Sequence, residues 1–127
     1  MIPAPILIVD DNPTNLKLAR VLLEGEGYEV RTAVDAEDAL RTLLEFKPQL
    51  ILMDIQLPGM DGLELTRILK SDPMTRHISI VALTAYAMKG DEERLLAAGC
   101  DGYIAKPIDI ETLPRTVAAH LRAGRGP

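Results

Sequence analysis

Acidic, hydroxyl and basic side chains stand at the ends of four short apolar segments of this sequence. Asp10 and Asp11 follow the first segment, Asp54 ends the second, Thr84 ends the third and Lys106 follows the fourth. If these segments are parallel strands of one sheet, their ends meet at the edge where open α/β sheets carry their binding sites. Carboxylates about 4 Å apart repel by roughly 4 kcal/mol at an effective dielectric near 20. The three acids therefore need a bound cation, or must hold protons.

The candidate metal ligands at this edge are all oxygen atoms, and they favour Mg²⁺. A small, open, carboxylate-lined site with no nearby histidine or cysteine suits this hard cation better than Ca²⁺. Asp11 and Asp54 would be direct ligands, Asp10 would act directly or through water, and the backbone carbonyl of Gln56 would complete the protein ligands. Taken alone, Asp11 is equally consistent with an N-cap of the first helix.

Lys106 and the hydroxyl of Thr84 would lie across from the metal, beside Asp54. A carboxylate with these neighbours is arranged to receive a phosphoryl group, because each neighbour can neutralise or hydrogen-bond one equatorial oxygen. Asp54 would then be the nucleophile and form an aspartyl phosphate. Taken singly, a lysine such as Lys106 is more often a solvated residue in a turn, and a threonine such as Thr84 is more often an ordinary residue at a strand end. Their joint occurrence at separate strand ends favours the phosphoryl site.

Apolar patterning predicts five strands alternating with five helices. The predicted strands cover residues 6–9, 28–33, 50–54, 78–84 and 102–105, and the predicted helices cover about 15–24, 36–46, 62–71, 90–98 and 112–121. Parallel neighbours need right-handed crossover connections, so the prediction is a doubly wound α/β fold with helices on both faces of the sheet. The second strand alternates like an edge strand. This favours the flavodoxin-like strand order 2-1-3-4-5.

Helical spacing also predicts which side chains each helix buries. The second helix, N-capped by Asp35, is expected to turn Ala39, Leu40, Leu43 and Leu44 inward. The corresponding residues of the third helix are Leu63, Leu65, Ile68 and Leu69, and those of the last helix are Leu113, Val117 and Leu121. Because Pro114 would remove a hydrogen bond inside a helix, the last helix is expected to begin near Thr112.

Composition limits the possible classes of protein. The 127 residues suit a single domain with a core over about residues 6–121, and 47% hydrophobic with 26% charged residues is a globular balance. A net charge of −5 with 3% aromatic residues argues against direct nucleic-acid binding. No apolar run approaches the roughly eighteen residues of a membrane span. The lone Cys100 and the absence of a signal peptide predict a cytoplasmic protein.

The strand-end motifs resemble those of the receiver domain of two-component response regulators, the CheY-like superfamily, over Ile6 to Leu121. They read Val9-Asp10-Asp11-Asn12, Met53-Asp54-Ile55-Gln56-Leu57-Pro58-Gly59-Met60-Asp61-Gly62, Leu83-Thr84-Ala85 and Gly102-Tyr103-Ile104-Ala105-Lys106-Pro107. The resemblance implies that Asp54 is the phosphoacceptor and that Lys106 contacts the phosphoryl group. It assigns Mg²⁺ to Asp10, Asp11, Asp54 and the Gln56 carbonyl. It also implies a switch pair, Thr84 and Tyr103, and a cis Lys106–Pro107 peptide bond.

The resemblance further implies Mg²⁺-dependent phosphoryl transfer to Asp54 from a sensor histidine kinase or a histidine phosphotransfer protein. The downstream target would be a protein bound at the face of helix 4, strand 5 and helix 5, with no membrane contact and no small-molecule substrate beyond phosphodonors. The chain would catalyse only its own phosphorylation and a slow autodephosphorylation. Since nothing follows Pro127, we expect a stand-alone receiver without an effector domain. The segment Thr84-Ala85-Tyr86-Ala87-Met88 resembles cell-cycle, DivK-like receivers and those of hybrid kinases, and Tyr86 occupies a position that tunes phosphate lifetime.

Other functions remain as alternatives. The chain could be a receiver excised from a hybrid histidine kinase, or a binding module that never carries phosphate. A flavodoxin-type carrier would need a Ser/Thr/Gly-rich phosphate cradle where Asp10 and Asp11 would repel the phosphate of a flavin. A phosphatase with an aspartyl nucleophile usually has a second acid two residues later, where this chain has Gln56.

Overall fold

The computed structural model of the chain describes residues 3–85 and 89–124. Strands and helices alternate along it. The strands are β1 (Pro5–Val9), β2 (Glu29–Ala33), β3 (Leu50–Asp54), β4 (Ser79–Thr84) and β5 (Gly102–Ala105). The helices are α1 (Pro13–Gly25), α2 (Ala36–Glu45), α3 (Gly62–Ser71), α4 (Lys89–Ala98) and α5 (Thr112–Gly124). Within the described ranges, none of these helices has the length and apolar character needed to cross a membrane.

The five strands form one parallel sheet in the order β2-β1-β3-β4-β5. This confirms the predicted doubly wound α/β fold and its flavodoxin-like strand order, with β2 at an edge. In the sheet register, Val9 of β1 pairs with Met53 of β3, and Asp54 pairs with Leu83 of β4. The register therefore brings the carboxyl ends of the three inner strands to a common edge.

The core has two layers, one on each face of the sheet. All five residues of β3 are buried, and its four apolar residues alternate between the two layers. One layer is completed by α1 and α5, whose buried side chains include Leu23 and Val117. The other is completed by α2, α3 and α4, with side chains such as Leu43, Leu65 and Leu95. Burial on both faces explains why β3 is uniformly apolar up to its terminal aspartate.

The predicted inner faces of α2 and α3 were partly wrong. Leu40 is 37% exposed, Leu44 78% and Ile68 41%. Helix α2 buries the predicted Ala39 and Leu43 together with Ala36, at spacings of three and four residues. Each exposed leucine of α2 comes one residue after a buried position, and one residue rotates a side chain by about 100° around the helix axis. In α3, Ile68 comes one residue before the buried Leu69, and this rotation of about 100° in the other direction turns it toward solvent.

The predicted starts of α2 and α5 are confirmed. Asp35 caps α2 by accepting a hydrogen bond from the Asp38 N–H at 2.7 Å. Helix α5 begins at Thr112, which places Pro114 in the first turn. No intrahelical acceptor exists for an N–H at that point, so the proline costs the helix no hydrogen bond.

Candidate functional site

The carboxyl edge of the sheet brings three aspartates together. Asp10, Asp11 and Asp54 each contribute one carboxylate oxygen to a group in which all the oxygens lie within 4.8 Å of one another. Asp10 and Asp54 directly follow the paired residues Val9 and Met53, so adjacency of β1 and β3 accounts for their closeness. Asp10 and Asp54 are buried, whereas Asp11 is exposed. The cluster is therefore a buried pair with a third carboxylate at its solvent side.

Asp11 does not serve as the N-cap of α1. The cap is Asn12, whose side-chain oxygen accepts hydrogen bonds from the N–H groups of Thr14 at 2.9 Å and Asn15 at 3.1 Å. The capping interpretation of Asp11, which the sequence left open, is thus wrong. The Asp11 carboxylate is instead part of the acidic cluster.

Asp10 has one satisfied and one unsatisfied carboxylate oxygen. Its Oδ1 accepts a hydrogen bond from the Asn12 N–H at 2.9 Å. Its Oδ2 is buried, and no donor in residues 3–85 and 89–124 makes a hydrogen bond to it; Lys106 Nζ lies 3.8 Å away. A buried anionic oxygen without a donor is costly, and a bound cation or a proton would remove that cost.

Burial raises the pKa of the Asp10 carboxyl to about 6, against an ordinary value of 3.8. The hydrogen bond from Asn12 opposes this rise, neighbouring Asp54 adds to it, and the charge of Lys106 lowers the pKa again. The ionised form is thus disfavoured mainly because it is cut off from water.

Asp54 lies at the centre of the site. Its Oδ1 accepts a hydrogen bond from the Gln56 N–H at 3.0 Å and lies 3.2 Å from Lys106 Nζ. Lys106 is positioned by its backbone N–H, which donates to the Thr84 carbonyl at 2.8 Å, and its peptide bond to Pro107 is cis. One ammonium group thus faces two of three carboxylates, so two negative charges at the cluster are uncompensated when all three acids are ionised.

Thr84 and Tyr103 lie on neighbouring strands. Thr84 ends β4 and is 4% exposed, while Tyr103 on β5 is partly buried against the core layer of α2, α3 and α4. Tyr103 pairs with Ala82, two residues before Thr84, so both side chains belong to the same face of the sheet. The motif residues Tyr86, Ala87 and Met88 lie outside the described residues.

Sequence reasoning missed the importance of Gly62. A Cβ at this position would collide with the carbonyl oxygen of Asp54 and would lie 2.9 Å from the Ile55 Cα. The Gly62 N–H also donates to the Ile55 carbonyl at 3.0 Å. The first residue of α3 therefore packs directly on the backbone of the central aspartate. A glycine directly after the cap Asp61, at a helix start where it is otherwise unfavourable, was the available signal.

Replacing Asp10 by asparagine is expected to stabilise the Mg²⁺-free protein, by up to about 3 kcal/mol at pH 7.5 and by about 1 kcal/mol or less at pH 4. Because its pKa is raised, the folded state binds the Asp10 proton more tightly than the unfolded state, so wild-type stability falls as pH rises from about 4 to about 6. Asparagine removes this titration. Urea unfolding in EDTA at both pH values measures the effect, with the exposed Asp61→Asn as control. Equal gains in the free energy of unfolding at both pH values would contradict this expectation.

Comparison with known proteins supports the resemblance seen in the strand-end motifs. A model of the response regulator receiver domain matches residues 6–118. The polar-differentiation response regulator DivK of Brucella anthropi is 48% identical over 119 residues, which cover 94% of this chain and 97% of DivK. The family match spans residues 6–118 and so covers the positions of all the strand-end residues described above.

Solved structures of a response regulator and of a receiver domain have the same fold as this chain. The chemotaxis response regulator CheY4 of Vibrio cholerae superposes with a TM-score of 0.88 at 28% identity, covering 92% of this chain and 98% of CheY4. The receiver domain of the sensor histidine kinase PA1611 from Pseudomonas aeruginosa superposes with a TM-score of 0.84 at 36% identity, covering 94% of this chain and 98% of that one. In the PA1611 structure a magnesium ion is coordinated in the active-site cleft.

Proposed function

Because the chain belongs to the response regulator receiver domain family, we propose that it accepts a phosphoryl group on Asp54 and thereby switches a protein–protein interaction. The observation that carries the proposal is a buried carboxylate, Asp54, that lies 3.2 Å from Lys106 Nζ and beside two further carboxylates. Receiver domains are signalling modules rather than metabolic enzymes. The only catalysis we assign to this chain is its own phosphorylation and a slow loss of the phosphoryl group.

Asp54 attacks as a nucleophile. Its Oδ1 is held by the Gln56 N–H and Lys106, so we assign Oδ2 as the attacking oxygen. A bond forms between this oxygen and phosphorus, and the bond from phosphorus to the donor atom breaks, with its electron pair leaving on the donor. Lys106 neutralises one oxygen of the transferred group and the Thr84 hydroxyl donates to another. Burial of Asp54 keeps bulk water away from this reaction.

The cluster fits a magnesium ion. Asp10, Asp11, Asp54 and the backbone carbonyl of Gln56 would hold it, and the unsatisfied Oδ2 of Asp10 with the two uncompensated negative charges supports this assignment. When bound, Mg²⁺ supplies positive charge that offsets the carboxylates and the oxygens of a phosphoryl group.

The partners follow from the family and from the proposed chemistry. Receiver domains interact with histidine kinases and phosphotransfer proteins, and we propose that such a protein donates the phosphoryl group to this chain and that this chain is located in the cytoplasm. The downstream protein would bind the face formed by α4, β5 and α5. We expect neither nucleic-acid nor membrane contact. Similarity to DivK favours a cell-cycle type, and similarity to the PA1611 receiver keeps a hybrid-kinase origin as the second candidate.

Asp11→Ala tests the proposal. We expect the wild type to take up one phosphoryl group from acetyl phosphate in Mg²⁺ but not in EDTA, and the variant to lose most of this uptake. Mg²⁺ at one hundred times its dissociation constant should also stabilise the wild type by about 2.7 kcal/mol, and the variant much less. Intact-mass spectrometry and melting curves measure the two effects. Wild-type loading in EDTA, or a variant that responds fully to Mg²⁺, would contradict the metal assignment.

Thr84→Ala is expected to uncouple β5 from Asp54. A phosphoryl group adds negative charge and strong acceptor oxygens, and the Thr84 hydroxyl can follow it and change the space available to Tyr103. With a phosphoryl mimic, amide NMR shifts at residues 89–108 should fall by about half or more in the variant. Ser79→Ala, at the opposite end of β4, is the control. Equally large shifts in wild type and Thr84→Ala would place the readout elsewhere.

A further inference from the structure

A groove of about 520 Å³ lies between the start of α2 and the loop that joins β3 to α3. Leu40 lines one side, and Pro58 and Met60 line the other. Leu40 is 37% exposed, and Leu44, one turn further along α2, is 78% exposed. The groove therefore continues into an exposed apolar ridge on α2.

The rim of the groove is acidic. Its titratable lining residues are Asp35 and Glu37, and the exposed Asp61 directly follows Met60. The nearest basic residue along α2, Arg41, is paired with Asp38 at 3.3 Å. Glu37 is exposed and makes no ion pair with any residue in the described ranges. An occupant with apolar and basic side chains would thus complement both the apolar lining and the acidic rim of the groove.

We propose that this groove docks an amphipathic helix of a partner protein. The partner inserts an aliphatic side chain between Leu40 and Met60 and places a lysine or arginine against Asp35 and Glu37. A helix is favoured over an extended segment because Leu40 and Leu44 form an i, i+4 ridge suited to helix packing, and because neither sheet edge, β2 or β5, is part of the groove. The acidic rim repels nucleic acid.

Occupancy of the groove is linked to Asp54, and this second step rests on the proposed phosphorylation. The loop that carries Pro58 and Met60 begins at Ile55, and its Gln56 N–H donates to Asp54 Oδ1 at 3.0 Å. A phosphoryl group on Asp54 changes the carboxyl group that accepts this hydrogen bond. It thereby changes the position of the loop that forms one wall of the groove. If phosphorylation changes the affinity of the groove for the helix by some factor, binding of the helix must change the phosphorylation equilibrium by the same factor.

A short fluorescent peptide of leucine and lysine with helical amphipathic spacing tests the groove, using the full chain in EDTA without phosphodonor. Glu37→Lys should weaken its binding about fivefold. Glu45→Lys makes the same charge change on the same helix outside the groove, and it should alter binding less than about twofold. Amide shifts caused by the peptide should map to residues 35–44 and 58–61. Equal losses in both variants, shifts elsewhere, or equal binding of a leucine–glutamate peptide would overturn the proposal.

The same titration on phosphorylated protein tests the linkage. After loading is verified by intact mass, we expect the peptide affinity to change about fivefold. An unchanged affinity on fully loaded protein would overturn the linkage and leave the groove standing. A chain that takes up no phosphoryl group would overturn the proposed function and the linkage together, while the measurement in EDTA would still decide whether the groove binds.

Discussion

Gly62→Ala is expected to destabilise the protein by about 2–4 kcal/mol, a fall of roughly 10 °C in melting temperature. The added methyl group would meet the carbonyl oxygen of Asp54 and the Cα of Ile55, which are backbone atoms at the end of the central strand. Backbone in the middle of a packed sheet cannot move aside as a flexible side chain can. The expected loss occurs even though alanine is the better helix former by about 1 kcal/mol.

Gly90→Ala is the matched control. Gly90 lies in the first turn of α4, and an added Cβ would have no heavy atom within 4 Å. The same substitution should therefore be neutral, or stabilising by up to about 1 kcal/mol. Urea unfolding of both variants measures the difference. A Gly62→Ala protein as stable as Gly90→Ala would contradict the close packing of α3 on Asp54.

The positions of the strands could be predicted from the sequence because buried parallel strands leave a strong signal. The boundaries of β3, α3 and β5 agree with the pattern of apolar runs and the residues that end them. The strand order followed from one feature, the half-exposed alternation of β2. Once the order is known, the meeting of Asp10 and Asp54 is a consequence of adjacent parallel strands.

The rotation of the helices could not be predicted as well. In α2, the stripe with Ala39 and Leu43 and the stripe with Leu40 and Leu44 are each apolar at helical spacing. Only the packing of Ala36 and the rest of α2 on the sheet decides between them. Intrinsic periodicity carries no information about which of two equivalent stripes meets a neighbour.

Atomic details of the site also needed the structure. Asp11 and Asn12 are both good capping residues, and only the hydrogen bonds of Asn12 show which one caps α1. The unsatisfied oxygen of Asp10 depends on distances to groups far along the chain, including Lys106. Such distances arise from the crossover connections and are absent from any local sequence pattern.

Asp54→Asn is expected to abolish phosphoryl uptake. Asparagine has nearly the same shape, and its side-chain oxygen can still accept the hydrogen bond from the Gln56 N–H. It carries no negative charge and its amide is a poor nucleophile, so the bond to phosphorus cannot form. Folding should be preserved, because the change removes one of three mutually repelling charges.

Asp61→Asn is the matched control for this variant. Asp61 lies in the loop that follows Asp54, is exposed, and caps α3 by accepting a hydrogen bond from the Glu64 N–H at 2.8 Å. Asparagine is an equally good cap, so α3 should form normally. The control makes the same chemical change outside the carboxylate cluster.

Intact-mass spectrometry of the wild type, Asp54→Asn and Asp61→Asn after incubation with acetyl phosphate and Mg²⁺ tests the central claim most directly. We expect the mass of one added phosphoryl group in the wild type and in Asp61→Asn, and none in Asp54→Asn. Undiminished loading of Asp54→Asn would contradict the assignment of Asp54 as the phosphoacceptor.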